Sequence, residues 1–256
     1  MQLLFIDFLS TFYRNILGGF DIYCRRGDDD MDLMSSALLL GSMYTTYEII
    51  NKLDIGNAIV NKAKTHDEYC LVLGYRGLLR TPIIVNMKVT PHLLVCGLSG
   101  QGKSRCVEYA ARNRDCVLLN SYESDFPSLK CPRINGNKQI LEYLTDLLNN
   151  PIERKRPLYV ICDECLMLCH DKAINKCMME LLATGRHQSV FCINIAQRGL
   201  KTDLPWKDLH NARMTFRQVE PSSYAAILGF GIDKNLTYRN FALASDDVYF
   251  GKTYNV

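Results

Sequence analysis

The sequence has no surplus of either charge: 30 Lys and Arg stand against 27 Asp and Glu, a formal net charge of +3. That balance is too weak to identify a nucleic-acid binder and leaves room for a local basic patch, so the global charge is neutral evidence. Also missing is any run of about 20 uncharged apolar residues, the length a membrane-spanning helix needs. Residues 3–20 come nearest, but Asp7 and Arg14 interrupt them. With neither a basic leader nor a small-residue cleavage site, this segment is not expected to be a signal peptide. It reads as a packed or interface-lying amphipathic helix. Internal repeats, low-complexity tracts and flexible linkers are absent too, which argues against solenoids and loosely strung domains.

Cysteine is plentiful, at 11 residues, but the pattern of a disulfide scaffold is missing. The count is odd, the chain is long, and Cys96, Cys162 and Cys192 sit inside strand-like apolar runs. There they act as small hydrophobes, which points to a reducing cytosol. Cys162, Cys165 and Cys169, followed by His170, lack the second knuckle of a zinc site. What is present is core material. With 48% hydrophobic and 22% charged residues over 256 positions, the chain suits one large domain, alone or with a small appendage.

Two regions differ in periodicity. Residues 1–67 read as helices broken at Gly18-Gly19 and at Asp28-Asp29-Asp30, a candidate docking element. From residue 68 to 256 the pattern becomes α/β. Tyr69–Gly74 and Ile83–Val85 read as strands, with Gly74, Gly77 and Pro82 marking the connection between them. The extended run His92–Cys96 precedes a helix over Arg105–Arg112, and Val117–Leu119 is a further strand. A helix over Lys138–Leu148, the strand Leu158–Cys162, a helix over Lys172–Thr184 and the strand Val190–Ala196 follow. Continuous apolar strands alternating with helices imply a mostly parallel sheet covered on both faces.

The chemistry concentrates in Gly97-Leu98-Ser99-Gly100-Gln101-Gly102-Lys103-Ser104, a Gly-x-x-x-x-Gly-Lys-Ser loop between a strand and a helix. Gly97, Gly100 and Gly102 let backbone N–H groups curl around phosphate, with Ser99, Gln101 and Arg105 completing the segment. Lys103 is expected to reach the β- and γ-phosphates, and the Ser104 hydroxyl to hold Mg2+. The strand Leu158–Cys162 runs into Asp163-Glu164. Asp163 is the expected second Mg2+ ligand, and Glu164 the expected base for the attacking water. Gln197, at the end of another strand, is placed to sense γ-phosphate or that water. Arg186 is the candidate for an arginine supplied across a subunit interface, with Arg213 and Arg217 as competitors. The ligands implied are ATP and Mg2+.

The run Thr90–Gly97 leading into Ser99–Ser104 resembles the nucleotide loop of the FtsK/SpoIIIE-like DNA translocases, within the HerA/FtsK type of P-loop ATPase. Leu71–Val89 resembles their hairpin, and Leu158–Glu164 their second nucleotide motif. Leu182–His187 resembles the helix end that follows, and Ile195-Ala196-Gln197-Arg198 their "A-T-Q-R" signature. Ala212–Arg217 is similar to their "R-I-x-F" strand, and Ile227-Leu228-Gly229 to a later helix-to-turn element. The resemblance covers about residues 68–253. Ala225 departs from it, standing where an arginine is common, as does Leu243–Asp246, which lacks two glycines.

The resemblance implies a minimal RecA-like motor, a ring that is usually hexameric, and double-stranded DNA drawn through its centre. It implies that Gln197 couples nucleotide state to motion and that Arg186 completes a neighbour's site. The expected setting is a mobile element (conjugation, plasmid or phage), with a relaxase, replication protein, membrane or portal as candidate partner. The expected location is cytoplasmic, with recruitment to a membrane or capsid. Residues Lys130–Arg133 and Arg198–Lys207 are candidates for DNA contact. Competing readings are a packaging ATPase at a portal, a nucleotide switch with slow hydrolysis, and a small-molecule kinase.

Overall fold

The computed structural model describes residues 65–254, apart from Glu153, Lys201 and Lys234. The helical reading of the N-terminal region therefore lies almost wholly outside the described residues. The described strands are β1 (Cys70–Arg76), β2 (Thr81–Asn86), β3 (Leu93–Cys96), β4 (Asp115–Leu119), β5 (Arg133–Ile134), β6 (Leu158–Cys162), β7 (Val190–Ala196), β8 (Ala212–Thr215), β9 (Asn240–Ala244) and β10 (Val248–Lys252). The helices are α1 (Lys103–Ala111), α2 (Asn137–Asn149), α3 (Cys165–Cys169), α4 (Lys172–Thr184) and α5 (Pro221–Leu228). Among the described residues, no helix is long and apolar enough to cross a membrane.

All ten strands form one sheet in the order β2-β1-β10-β9-β8-β3-β7-β6-β4-β5. From β8 to β5 every pairing is parallel, while β9, β10, β1 and β2 add an antiparallel wing. The parallel core is the expected one. The wing arises because β9 and β10 are joined by a short turn that only an antiparallel pair can use. Burial follows the same division. Every residue of β3 and β7 is buried, as a strand covered on both faces requires, whereas β2 alternates buried and half-buried positions.

One face of the sheet packs on α1 through Cys106, Val107, Ala110 and Ala111. The other packs on α2, α4 and α5, where Ile140, Leu144 and Leu147 meet Ile174, Met178, Leu181 and Leu182. Their spacing of three and four residues is that of a single helical stripe. Asp171 caps α4, its carboxylate accepting from the Ala173 and Ile174 amides at 3.0 and 3.2 Å.

Three local expectations shift. Gly74 lies within β1 at a bulge, and Pro82 lies within β2, so only Gly77 (φ +66°) belongs to the turn between them. His92 is not extended: it sits at φ 63°, just ahead of β3, and is buried. The helix expected from Arg105 begins two residues earlier, because the lysine of the glycine loop is already helical.

Candidate active site

The strand order places β7 between β3, which leads into the glycine loop, and β6, which leads into Asp163-Glu164. Because the three strands are parallel, Gly97, Asp163 and Gln197 leave the sheet at one edge. The start of the loop is fixed on both sides. The Gly97 amide donates to the Ala196 carbonyl at 3.2 Å and the Leu98 amide to the Arg217 carbonyl at 3.1 Å.

Glycine is required here for two reasons. Gly100 and Gly102 have φ +73° and +104°, a region that disfavours residues with a Cβ. Gly97 has φ +149°, and a Cβ added to it would stand 2.7 Å from Phe216 Cβ. Gly102 then opens α1, so the unpaired amides of that helix N-terminus face the loop. Lys103 Nζ is buried and donates to the carbonyls of Gly97 and Leu98 at 2.8 and 3.0 Å. Burial pulls its pKa below the usual lysine range, opposed by the charges of Glu164 and Asp163. A buried ammonium within a concave loop of glycines at a helix N-terminus fits a polyphosphate. Ser104 follows at half-buried depth, where its hydroxyl can serve a metal on that phosphate.

Asp163 is buried, and its carboxyl is pushed up to about 6. Burial is the main cause, the charges of Asp125 and Glu164 add to it, and the Glu164 amide and Lys103 act in the opposite sense. The Glu164 amide donates to Asp163 Oδ1 at 3.1 Å. Glu164 itself is held at φ 46°, a left-handed conformation costing about 1 kcal/mol or more for a residue with a Cβ. Its side chain meets Gln197, whose Nε2 donates to Glu164 Oε1 at 3.2 Å. A carboxyl group beside a second carboxylate and a lysine, across from a phosphate-shaped loop, is a donor set suited to Mg2+.

Several residues that sequence reasoning passed over belong to this edge. Asn120, at φ 55° after β4, donates from Nδ2 to the Asp163 carbonyl at 3.3 Å. Arg239 and Thr253 come from the antiparallel wing: Arg239 donates to the Thr253 hydroxyl and carbonyl at 3.2 and 2.9 Å. Both stand within 4 Å of where a Gly102 Cβ would lie. Asn120 carried the weak signal of a polar residue ending an apolar strand, whereas Arg239 and Thr253 are brought in only by the tertiary fold.

Other candidates are placed elsewhere. Arg105 points to Glu108 on α1, 3.0 Å away, instead of into the loop. Arg217 is exposed beside the loop, and Arg213 lies half-buried within β8. Arg186 is exposed in a 3-10 turn ahead of β7, at the opposite edge of the sheet from Gln197. There it lines a cavity of about 210 Å3 with Tyr69, Lys88, His187, Ser189 and Phe191. Arg133, a candidate DNA contact, is spent on its own loop. It donates to Ser121 Oγ and to the carbonyls of Tyr122, Asp125 and Phe126 at 2.8–3.1 Å. Lys207 likewise donates to the Ala226 carbonyl.

No protein-family model matches the sequence, and comparison with curated proteins gives no match. Solved structures do match in fold. The pCW3 conjugation coupling protein TcpA, in its monomer form with ATPγS, aligns over 74% of this chain and 67% of its own, with TM-score 0.60 and 14% identity. The cytoplasmic domain of the type VII secretion ATPase EccC from Thermomonospora curvata aligns over 75% of this chain, with TM-score 0.59 and 14% identity. This chain spans 29% of that EccC chain. EssC (ATPases 2 and 3) from Geobacillus thermodenitrificans aligns over 72% of this chain and 43% of its own, with TM-score 0.55 and 12% identity. The fold is thus that of a RecA-like P-loop NTPase core.

Proposed function

We propose that this chain is an ATPase that drives double-stranded DNA through a homo-oligomeric ring, most simply a hexamer, in the service of a mobile element. The observation that carries the hydrolytic part is the convergence of Gly97–Ser104, Asp163-Glu164 and Gln197 on one sheet edge, with Gln197 bonded to Glu164. The DNA part is supported by the ordered set of FtsK/SpoIIIE-like motifs and by a fold shared with a conjugation coupling protein.

In this reading the loop amides and Lys103 receive the β- and γ-phosphates of ATP. Ser104 and Asp163 would hold Mg2+, which supplies charge neutralisation on the phosphate oxygens. Glu164 takes the proton from the attacking water, and Gln197 holds its carboxylate in place until that water is correctly seated. Asn120 and the Glu164 amide fix the Asp163 backbone and carboxylate. Arg186 acts in trans. A head-to-tail ring joins two different surfaces of the subunit, so an arginine serving the neighbour belongs away from its own loop. Residues 1–67 are assigned to docking on a relaxase, replication protein, membrane or portal, with the motor itself cytoplasmic.

The test is ATP turnover of the wild type and of Lys103→Ala, with and without long double-stranded DNA. Turnover that is stimulated several-fold by DNA and lost in the variant is expected. Turnover indifferent to DNA would refute the translocase part, and turnover surviving in Lys103→Ala would refute the site.

A further inference from the structure

We propose that Cys116 and Cys131 are a redox-reactive pair whose reversible disulfide clamps the loop between them, a modification site independent of nucleotide. The sequence positions are set by parallel pairing. β4 and β5 align Leu118 with Arg133 and Leu119 with Ile134, so two residues back along each chain stand Cys116 and Cys131. The ladder is hydrogen-bonded up to the adjacent step, where the Leu118 amide donates to the Pro132 carbonyl at 2.9 Å, and the two cysteines follow just beyond it. Neighbouring strands lie about 4.8 Å apart, inside the Cα separation of about 4.4–6.8 Å that a disulfide spans. The two side chains pack on the same core cluster, Cys116 within it and Cys131 against it, and both thiols are free.

The two differ in access and chemistry. Cys116 is buried and Cys131 half-exposed, so an oxidant meets Cys131 first. The neighbouring Cys116 thiol, with Arg133 adding, holds the Cys131 thiol below its usual range, while Cys116 is pushed above it. Cys131 is therefore the nucleophile. Its thiolate attacks a peroxide oxygen, the O–O bond breaks, and a sulfenic acid and hydroxide result. The Cys116 sulfur then attacks the sulfenic sulfur, the S–O bond breaks, and the thiol proton leaves with the oxygen as water. Two thiols and one hydrogen peroxide give one disulfide and two waters.

Other half-exposed thiols are placed differently. Cys177 lies 4.0 Å from the Thr145 hydroxyl, and Cys169 donates to the Cys165 carbonyl. The bond matters because of what lies between its ends. Residues 120–130 carry Asp125, whose charge already acts on Asp163, and Arg133 ties the same loop by its carbonyls.

The experiment treats the reduced full chain with hydrogen peroxide under native conditions, followed by intact mass, peptide mapping and amide exchange. Loss of two hydrogens, one peptide pair joining Cys116 to Cys131, reversal by dithiothreitol and slowed exchange over residues 120–130 are expected. Cys131→Ser, a change at a partly exposed position that keeps the buried Cys116, must abolish the bond, and Cys177→Ser must leave it intact. A different cysteine pairing, overoxidation of Cys131 without a bond, or a bond that leaves loop exchange unchanged would overturn the proposal. None of these readouts uses nucleotide, so the proposed function stands or falls separately.

Discussion

His92 offers a quantitative check on the buried polar structure beneath the site. Its Nδ1 accepts from the Cys192 amide at 3.0 Å, and the ring also bonds the backbone carbonyl of Leu182. The Nδ1 contact needs a neutral ring, whereas an N–H donating to Leu182 persists in the charged form and favours it; burial outweighs that and lowers the pKa from 6.5 to about 4. The unfolded chain takes up a proton near 6.5 that the folded protein refuses. His92 therefore leaves stability untouched above that pH and erodes it as pH falls toward 4, by about 2.5 kcal/mol at pH 4.5. His92→Asn removes the titration while keeping an acceptor near the Cys192 amide, and asparagine tolerates the φ of 63°. It loses the Leu182 partner, worth about 1–2 kcal/mol. Urea unfolding, followed by the fluorescence of the single and fully buried Trp206, gives the comparison. The variant should be less stable at pH 8, and the two curves should meet near pH 5. His210, lowered to about 3, erodes stability in the same direction, and Asp163, raised to about 6, does the opposite as pH falls. Asp163 is common to the two proteins and cancels in the difference. His210 cancels only in part, because the charge of His92 is among the causes that lower its pKa, and removing it shifts the curves in the same sense. Curves that stay parallel from pH 8 to 4.5 would refute the assignment.

Gly97→Ala brings a methyl group against Phe216, so nucleotide affinity should drop at least tenfold in a direct binding titration, with a stability loss of about 1–3 kcal/mol. Gln197→Ala frees Glu164, and turnover should fall at least tenfold while nucleotide binding changes less than threefold, a split read from steady-state kinetics and equilibrium binding. Arg133→Ala strips four hydrogen bonds from the loop at residues 121–126; thermal melts should show a loss of about 2–3 kcal/mol, and limited proteolysis should cut there first. Mixing Lys103→Ala with Arg186→Ala, each inactive alone, should restore about a quarter of wild-type turnover if the arginine acts in trans, and none if it does not.

The parallel core was readable because its strands are unbroken apolar runs and its chemistry sits at their ends. Gly97–Ser104 and Asp163-Glu164 announce themselves by local pattern alone, and the structure brings both to one edge with Gln197 between them. What escaped the sequence was long-range. The order β3-β7-β6 cannot be inferred from periodicity, and neither can the arrival of Arg239 and Thr253 beside Gly102. The partners of Arg133 and Arg105 were hidden for the same reason: a basic side chain looks available until the carbonyls or carboxylate it pairs with are located. His92 was read as extended because its apolar neighbours are. The left-handed backbone accompanies a ring that accepts from the Cys192 amide, a long-range contact that periodicity does not show.

The two flanks of the sheet bear on how copies of this chain can associate. Among the described residues, one flank is β5, two residues long, and the other is β2, where Pro82 contributes no N–H. A growing β-ribbon needs a long, regular row of unpaired donors and acceptors, and neither flank provides it. Polymerisation by strand addition is therefore disfavoured at both sides. Among the described residues, helix faces and the loops and turns at the strand ends are the surfaces through which copies can meet without competing against fibre growth.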